Sequence, residues 1–183
     1  GHVADDVERV QSRVTYAQRP QLFHNTGRGR FEEIVDEAGN GWQQPMVARG
    51  AAYADFDNDG DLDILMTSNG GAPRLLRNDG GNVNNLLRVK TIGTESNRDG
   101  IGARVEVTIG GQSRWQMVKT GSSYASQSEM PLTFGLGDQM SVELMRVVWP
   151  SGQVDEVTGI AANAFIVVEE GRGTVSSTAI IRD

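Results

Sequence analysis

Apolar residues in the first stretch fall at Val3, Val7, Val10 and Val14, the three- and four-residue spacing of one helical face. A short helix or covering arm is predicted over residues 1–19. From Pro20 the period changes to short apolar runs separated by Gly, Asn and Asp, the mark of antiparallel strands. Strands are predicted over residues 21–25, 31–36, 50–55, 62–67 and 74–78. A second series follows over 86–92, 103–109, 114–119, 141–149, 153–157 and 165–169. The cleanest alternation puts Ala103, Val105, Val107 and Ile109 on one face, with Arg104, Glu106 and Thr108 on the other. Trp149-Pro150-Ser151-Gly152 places Pro and Gly where a tight turn between two strands needs them.

The segment Leu22-Phe23-His24-Asn25 returns as Leu75-Leu76-Arg77-Asn78, an offset of 53 residues that reads as an internal repeat. The run Asn78-Asp79-Gly80-Gly81-Asn82 is the best candidate boundary. Four segments are therefore expected: an arm at 1–19, a repeat region at 20–82, a β domain at 83–172 and a tail at 173–183. The predicted fold class is all-β, with a partial propeller-type repeat of antiparallel blade strands followed by a β-sandwich or barrel-like domain.

Composition adds three constraints. The 23 glycines suit a turn-rich β chain, and the absence of Cys excludes disulfides and thiolate metal sites. No apolar run is long enough to span a bilayer as a helix. The chain opens Gly1-His2, which reads as a processed end, so a signal segment is expected outside this sequence. Net charge is −7, but Asp55, Asp57, Asp59, Asp61 and Asp63 lie within nine residues, and removing their five charges leaves −2. The acidity is local and no basic stripe accompanies it, which argues against nucleic acid as a partner.

That acidic run is the chief candidate site. Carboxylates at alternate positions of a tightly wound loop can converge on one point, and Gly60 permits the sharp turn. Calcium takes six to eight oxygen ligands in a forgiving geometry, whereas magnesium demands an octahedron and keeps its waters. The expected ligands are the side chains of Asp55, Asp57, Asp59 and Asp63 and the backbone carbonyl of Asp61. An EF-hand would need a bidentate Glu at the twelfth position, where Met66 stands, and helices in place of the flanking β runs. Ala52, Ala54, Phe56, Leu62, Ile64 and Met66 are expected to form the apolar core of the surrounding hairpin.

Catalytic signals are sparse. His2 and His24 are the only histidines, and Ser122, Ser123, Ser126 and Ser128 have no base near them in sequence. Glu129 and Asp138 form the kind of carboxylate pair that any acidic β chain offers. No catalytic residue is therefore assigned. Asn97, Arg98, Ser122, Tyr124, Ser126 and Gln127 make up a candidate recognition surface for a glycan or a protein partner.

Residues 20–78 resemble the FG-GAP (integrin-α-like) repeat family, through Leu22-Phe23-His24-Asn25, Gly29-Arg30-Phe31 and the acidic loop 55–63. Residues 85–169 resemble the ASPIC/UnbV domain. They do so through Asn97-Arg98, Ile101 to Val105, Gly121 to Gln127, Phe134-Gly135-Leu136-Gly137 and Trp149-Pro150-Ser151-Gly152. The resemblance implies a calcium-stabilised extracellular or periplasmic binding, scaffold or adhesion module. Closed propellers use about four to eight blades, so it also implies the C-terminal part of a longer repeat protein. The alternative is a fragment of an exported carbohydrate-active hydrolase or lyase whose catalytic residues lie elsewhere.

Overall fold

The computed structural model describes residues 1–181. The chain is all-β, and the one α-helix among the described residues, α1 (Val7–Val10), is four residues long. Of the valines at helical spacing, Val7 is buried while Val3 and Val10 are exposed. One turn of helix cannot line up a longer face.

By internal contacts the chain forms two compact units. The second comprises Tyr53–Asp63, Arg77–Ser122 and the residues from Gln127 onward. It is built on two four-stranded sheets. One has the order β11 (Val154–Ala161), β10 (Ser141–Val148), β7 (Arg104–Ile109), β8 (Gln112–Met117). The other runs β13 (Gly173–Ala179), β12 (Ala164–Glu169), β6 (Asn85–Ile92), β9 (Leu132–Gly137). All pairings in these sheets are antiparallel except β6 with β12, where Val89 lies beside Ile166 in a parallel ladder. Both sheets keep free edges, so the domain is a sandwich and not a closed barrel.

Its core is the meeting of the two inner faces. Val105 and Val107 of β7 and Val142, Met145 and Val147 of β10 pack with Leu87 and Val89 of β6, Phe134 of β9 and Ile166 and Val168 of β12. The predicted apolar face of β7 is the buried one. Each such side chain withdrawn from water contributes about 1.5–3 kcal/mol before the entropy of ordering it is deducted. The Trp149–Gly152 turn joins β10 to β11, closed by Gly152 N–H donating to the Trp149 carbonyl at 3.0 Å, with Gly152 at φ 95°. Trp149 is itself buried, and its indole N–H donates to Asp155 at 2.7 Å.

The first unit comprises Gly1–Ala52, Ile64–Leu76 and Ser123–Ser126. It holds the exposed hairpin of β1 (Phe23–Gly27) and β2 (Arg30–Glu33). It also holds most of the sheet β3 (Ala48–Ala54), β4 (Asp63–Ser68), β5 (Arg74–Leu76), while the β3–β4 connection belongs to the second unit. Val35, Trp42, Met46 and Met66 are its buried apolar residues, together with Val7.

Two strands were not anticipated. Residues 173–183 were expected to be a tail, yet Gly173–Ala179 pairs with β12 as an edge strand. Its Thr- and Ser-rich sequence carries no apolar alternation, because an edge strand exposed along nearly its whole length buries almost nothing. The Phe134–Gly137 motif belongs to β9, where Phe134 and Leu136 point inward and the glycines alternate with them. Phe56 is a correction of another kind: expected in the hairpin core, it is 68% exposed. The loop turns away from the strand before the alternation reaches it.

Candidate functional site

The acidic loop begins where β3 ends and closes where β4 starts. Asn58 and Gly60 adopt positive φ of 62° and 99°, and these two left-handed residues curl the chain so that alternate side chains turn toward a common point. Asp55, Asp57 and Asp63 each bring a carboxylate oxygen to within 4.8 Å of the others. Asp55 and Asp63 are buried and Asp57 is exposed.

Backbone donors fix the buried pair. Asp63 accepts from Phe56 N–H through Oδ2 and from Asn78 N–H through Oδ1, both at 2.8 Å. Asp55 Oδ2 accepts from Gly60 N–H at 3.2 Å. Its other oxygen, Oδ1, is buried and accepts no hydrogen bond. Of the remaining two carboxylates, Asp59 Oδ1 accepts from Asp61 N–H within the loop at 3.0 Å, and Asp61 Oδ2 accepts from Gly81 N–H beyond it at 2.9 Å. Asp61 Oδ1 is also buried without a donor.

The electrostatics follow from this crowding. Burial pushes the Asp55 carboxyl above its ordinary range, opposed mainly by the Arg88 guanidinium. Asp61 is raised to about 6, first by burial and then by the charge of Asp59. Asp55 and Asp61, buried among like charges and each with one oxygen short of a donor, disfavour their own ionisation, and a positive ion beside them would reverse that balance.

Two family models match the sequence in tandem: the FG-GAP-like repeat over residues 13–66, then ASPIC and UnbV over residues 93–175. The chain carries an FG-GAP-like repeat followed by an ASPIC and UnbV region. This order is the one expected from the motifs. No curated protein matches the chain.

The acidic loop lies within the FG-GAP match. Its buried anchor, Arg88 on β6, lies between the two matched segments and was not singled out in the sequence. Its guanidinium bonds Asp55 Oδ2 through Nη1 and Glu129 Oε2 through Nη2. The Arg88 and Asp55 side chains are 7% and 1% exposed, so this is a buried ion pair and not a surface one. The guanidinium also sits 5.5 Å from the centre of the Phe165 ring. A lone Arg on the polar face of a predicted strand reads as solvent-facing, and only its burial in the fold distinguishes it.

The six residues of the expected recognition surface have diverse surroundings. Asn97 closes a turn, accepting from Ile101 N–H at 2.8 Å and donating to the Ile101 carbonyl at 2.7 Å. Arg98 is exposed and pairs with its neighbour Asp99 at 3.1 Å. Ser122 and Ser128 share a hydroxyl–hydroxyl bond of 3.3 Å, and Gln127 is exposed between them in sequence. Tyr124 and Ser126 belong to the first unit, where Tyr124 is 74% exposed and Ser126 Oγ donates to the Tyr124 carbonyl at 2.9 Å. The six therefore divide between the two compact units and share no common cluster of hydrogen bonds.

Sequence reading also passed over Glu170 in the ASPIC and UnbV region. It is buried, and its Oε2 accepts from the backbone N–H groups of Thr94, Glu95 and Ser96 at 2.7–2.9 Å. Its Oε1 accepts from the hydroxyls of Ser96 and Ser151. Burial alone would raise this carboxyl, but those donors outweigh it and hold the group at about 2. Its signal in sequence is nil, since a Glu after an apolar strand looks like an ordinary solvated end.

Proposed function

We propose that this chain is a calcium-stabilised binding or scaffold module of an exported protein, with the cation held in loop 55–63. The observation that carries the reading is the convergence of Asp55, Asp57 and Asp63, together with a buried Asp55 Oδ1 that no protein donor satisfies. Oxygen-only donors of this charge suit a hard cation of variable coordination. Asp55, Asp57 and Asp63 would hold it through their side chains. Asp59 and the Asp61 carbonyl complete the set that the spacing predicts. Bound there, calcium would neutralise carboxylates that otherwise repel one another; its role is structural, and no residue of the chain is assigned a catalytic step.

The exported setting is argued from the affinity expected of such a loop. A loop without the bidentate Glu of an EF-hand belongs with extracellular sites of about 10⁻⁴–10⁻³ M, too weak to fill in a resting cytosol. Calorimetric titration of EDTA-stripped protein tests both points. Saturation in the millimolar range or somewhat below is expected. No heat of binding at millimolar calcium refutes the site, and a dissociation constant at or below ~10⁻⁷ M, in the range of cytosolic sensors, removes the argument for export.

A further inference from the structure

Arg88 is committed to Asp55 and Glu129, yet three polar atoms of this buried cluster lack a partner. They are Asp55 Oδ1, Arg88 Nε and Glu129 Oε1. The first belongs to a residue of the proposed cation site. The other two are an N–H donor and a carboxylate acceptor on side chains already locked to each other, so neither can swing away to find water without breaking the pair. Leaving a charged group's polar atom buried and unpaired is costly, and such atoms in a folded chain point to something that completes them.

Both side chains line a cleft of about 450 Å³ that Pro131, Phe165 and Thr178 also border. That volume is within the range of small-molecule sites, which join apolar walls to a few convergent polar groups. We infer that this cleft is a binding site for a neutral hydroxylated ligand of the carbohydrate class, held by Arg88 and Glu129. Charge selects the class. Glu129 and Asp55, which also lines the cleft, repel an anion, and with calcium in the acidic loop the ion and the guanidinium together repel a cation. A hydroxyl both accepts from Arg88 Nε–H and donates to Glu129 Oε1, so a ring bearing adjacent hydroxyls satisfies both atoms. Phe165 and Pro131 supply the apolar side against which the C–H face of a sugar packs.

This site is separate from the surface expected at Asn97, Arg98 and the 122–127 segment. It rests on reading the chain as a binding module, and the measurements keep the two readings apart. Saturation-transfer NMR on the full chain with calcium present would use glucose, galactose, mannose, lactose and cellobiose as probes, with N-acetylglycinamide as the peptide-like control. Transfer to at least one sugar is expected. Glu129→Gln, which keeps the shape of the side chain, should weaken it at least ~10-fold, as the loss of a charge-assisted hydrogen bond implies. Thr178→Trp, a bulky change at an exposed rim position, should weaken it similarly by filling the cleft while leaving the melting temperature unchanged. No transfer to any sugar, transfer to the amide alone, or equal transfer in wild type and both variants overturns the inference. Calcium titrations on the same samples separate the outcomes: calcium binding without sugar binding sinks this proposal only, and the reverse sinks the calcium reading only.

Discussion

Glu170 and Asp55 are both carboxylates withdrawn from water within the same compact unit, and their surroundings push them in opposite directions. Glu170 receives three backbone N–H groups and two hydroxyls, and it stays ionised down to about pH 2. Asp55 receives the Gly60 N–H and Arg88 through Oδ2, keeps Oδ1 without a donor among neighbouring carboxylates, and has its carboxyl raised. Burial is common to both; donor count separates them. A carboxylate fully supplied with donors needs nothing further from outside the chain, and it acts as a latch, here tying residues 94–96 and Ser151 to the end of β12. A carboxylate left short of donors among like charges is where the proposed cation would sit.

The largest test of this contrast is Arg88→Met. Removing one partner of a buried pair strands the other charges, and a loss of about 3–5 kcal/mol is expected in chemical denaturation. A change under ~1 kcal/mol would mean that Asp55 and Glu129 reach water and that the cluster is not truly buried. Next is chelation. With calcium at ~100 times its dissociation constant the folded state gains about 2.7 kcal/mol, so EDTA should lower the melting midpoint by several degrees. Glu170→Gln should leave that calcium-dependent increment intact while lowering stability by about 1–3 kcal/mol, since an amide cannot accept from every donor of the nest. If instead Glu170→Gln abolishes the calcium increment, the two sites are coupled and the comparison fails.

The smallest effect is read by acid titration. The folded pKa of Glu170 lies below its ordinary 4.5, so the folded state releases this proton more readily than the unfolded chain does. Its contribution is therefore complete above 4.5 and is lost as pH falls toward about 2. Wild-type stability should decline across that window more steeply than that of Glu170→Gln. Parallel acid limbs for the two proteins would show that the nest does not hold the charged form.

Strand positions were largely legible because half-buried strands write a two-residue period into the chain, as β7 does with Val105, Val107 and Ile109. The acidic loop was legible for a different reason: five aspartates alternating around a glycine have no use as an ordinary turn. What stayed hidden lacked any local signature. β13 is an exposed edge strand with nothing to alternate, and Glu170 is a single acid whose donors come from residues 94–96 and 151, far away in sequence.

By itself the sequence determined the all-β class, the inward face of the main strands and the side chains available to a cation, because each depends on spacing within a few residues. Only the tertiary structure decided where Arg88 goes. Its position on β6 faces away from the sandwich core, where a charged side chain ordinarily meets water. The loop at Asp55 and the segment at Glu129 instead cover it, turning a surface cation into the buried hub of three charges. Residues 33 and 41 positions apart meet there. No local period encodes such a meeting; it is set by the packing of chain segments against the outer face of a sheet.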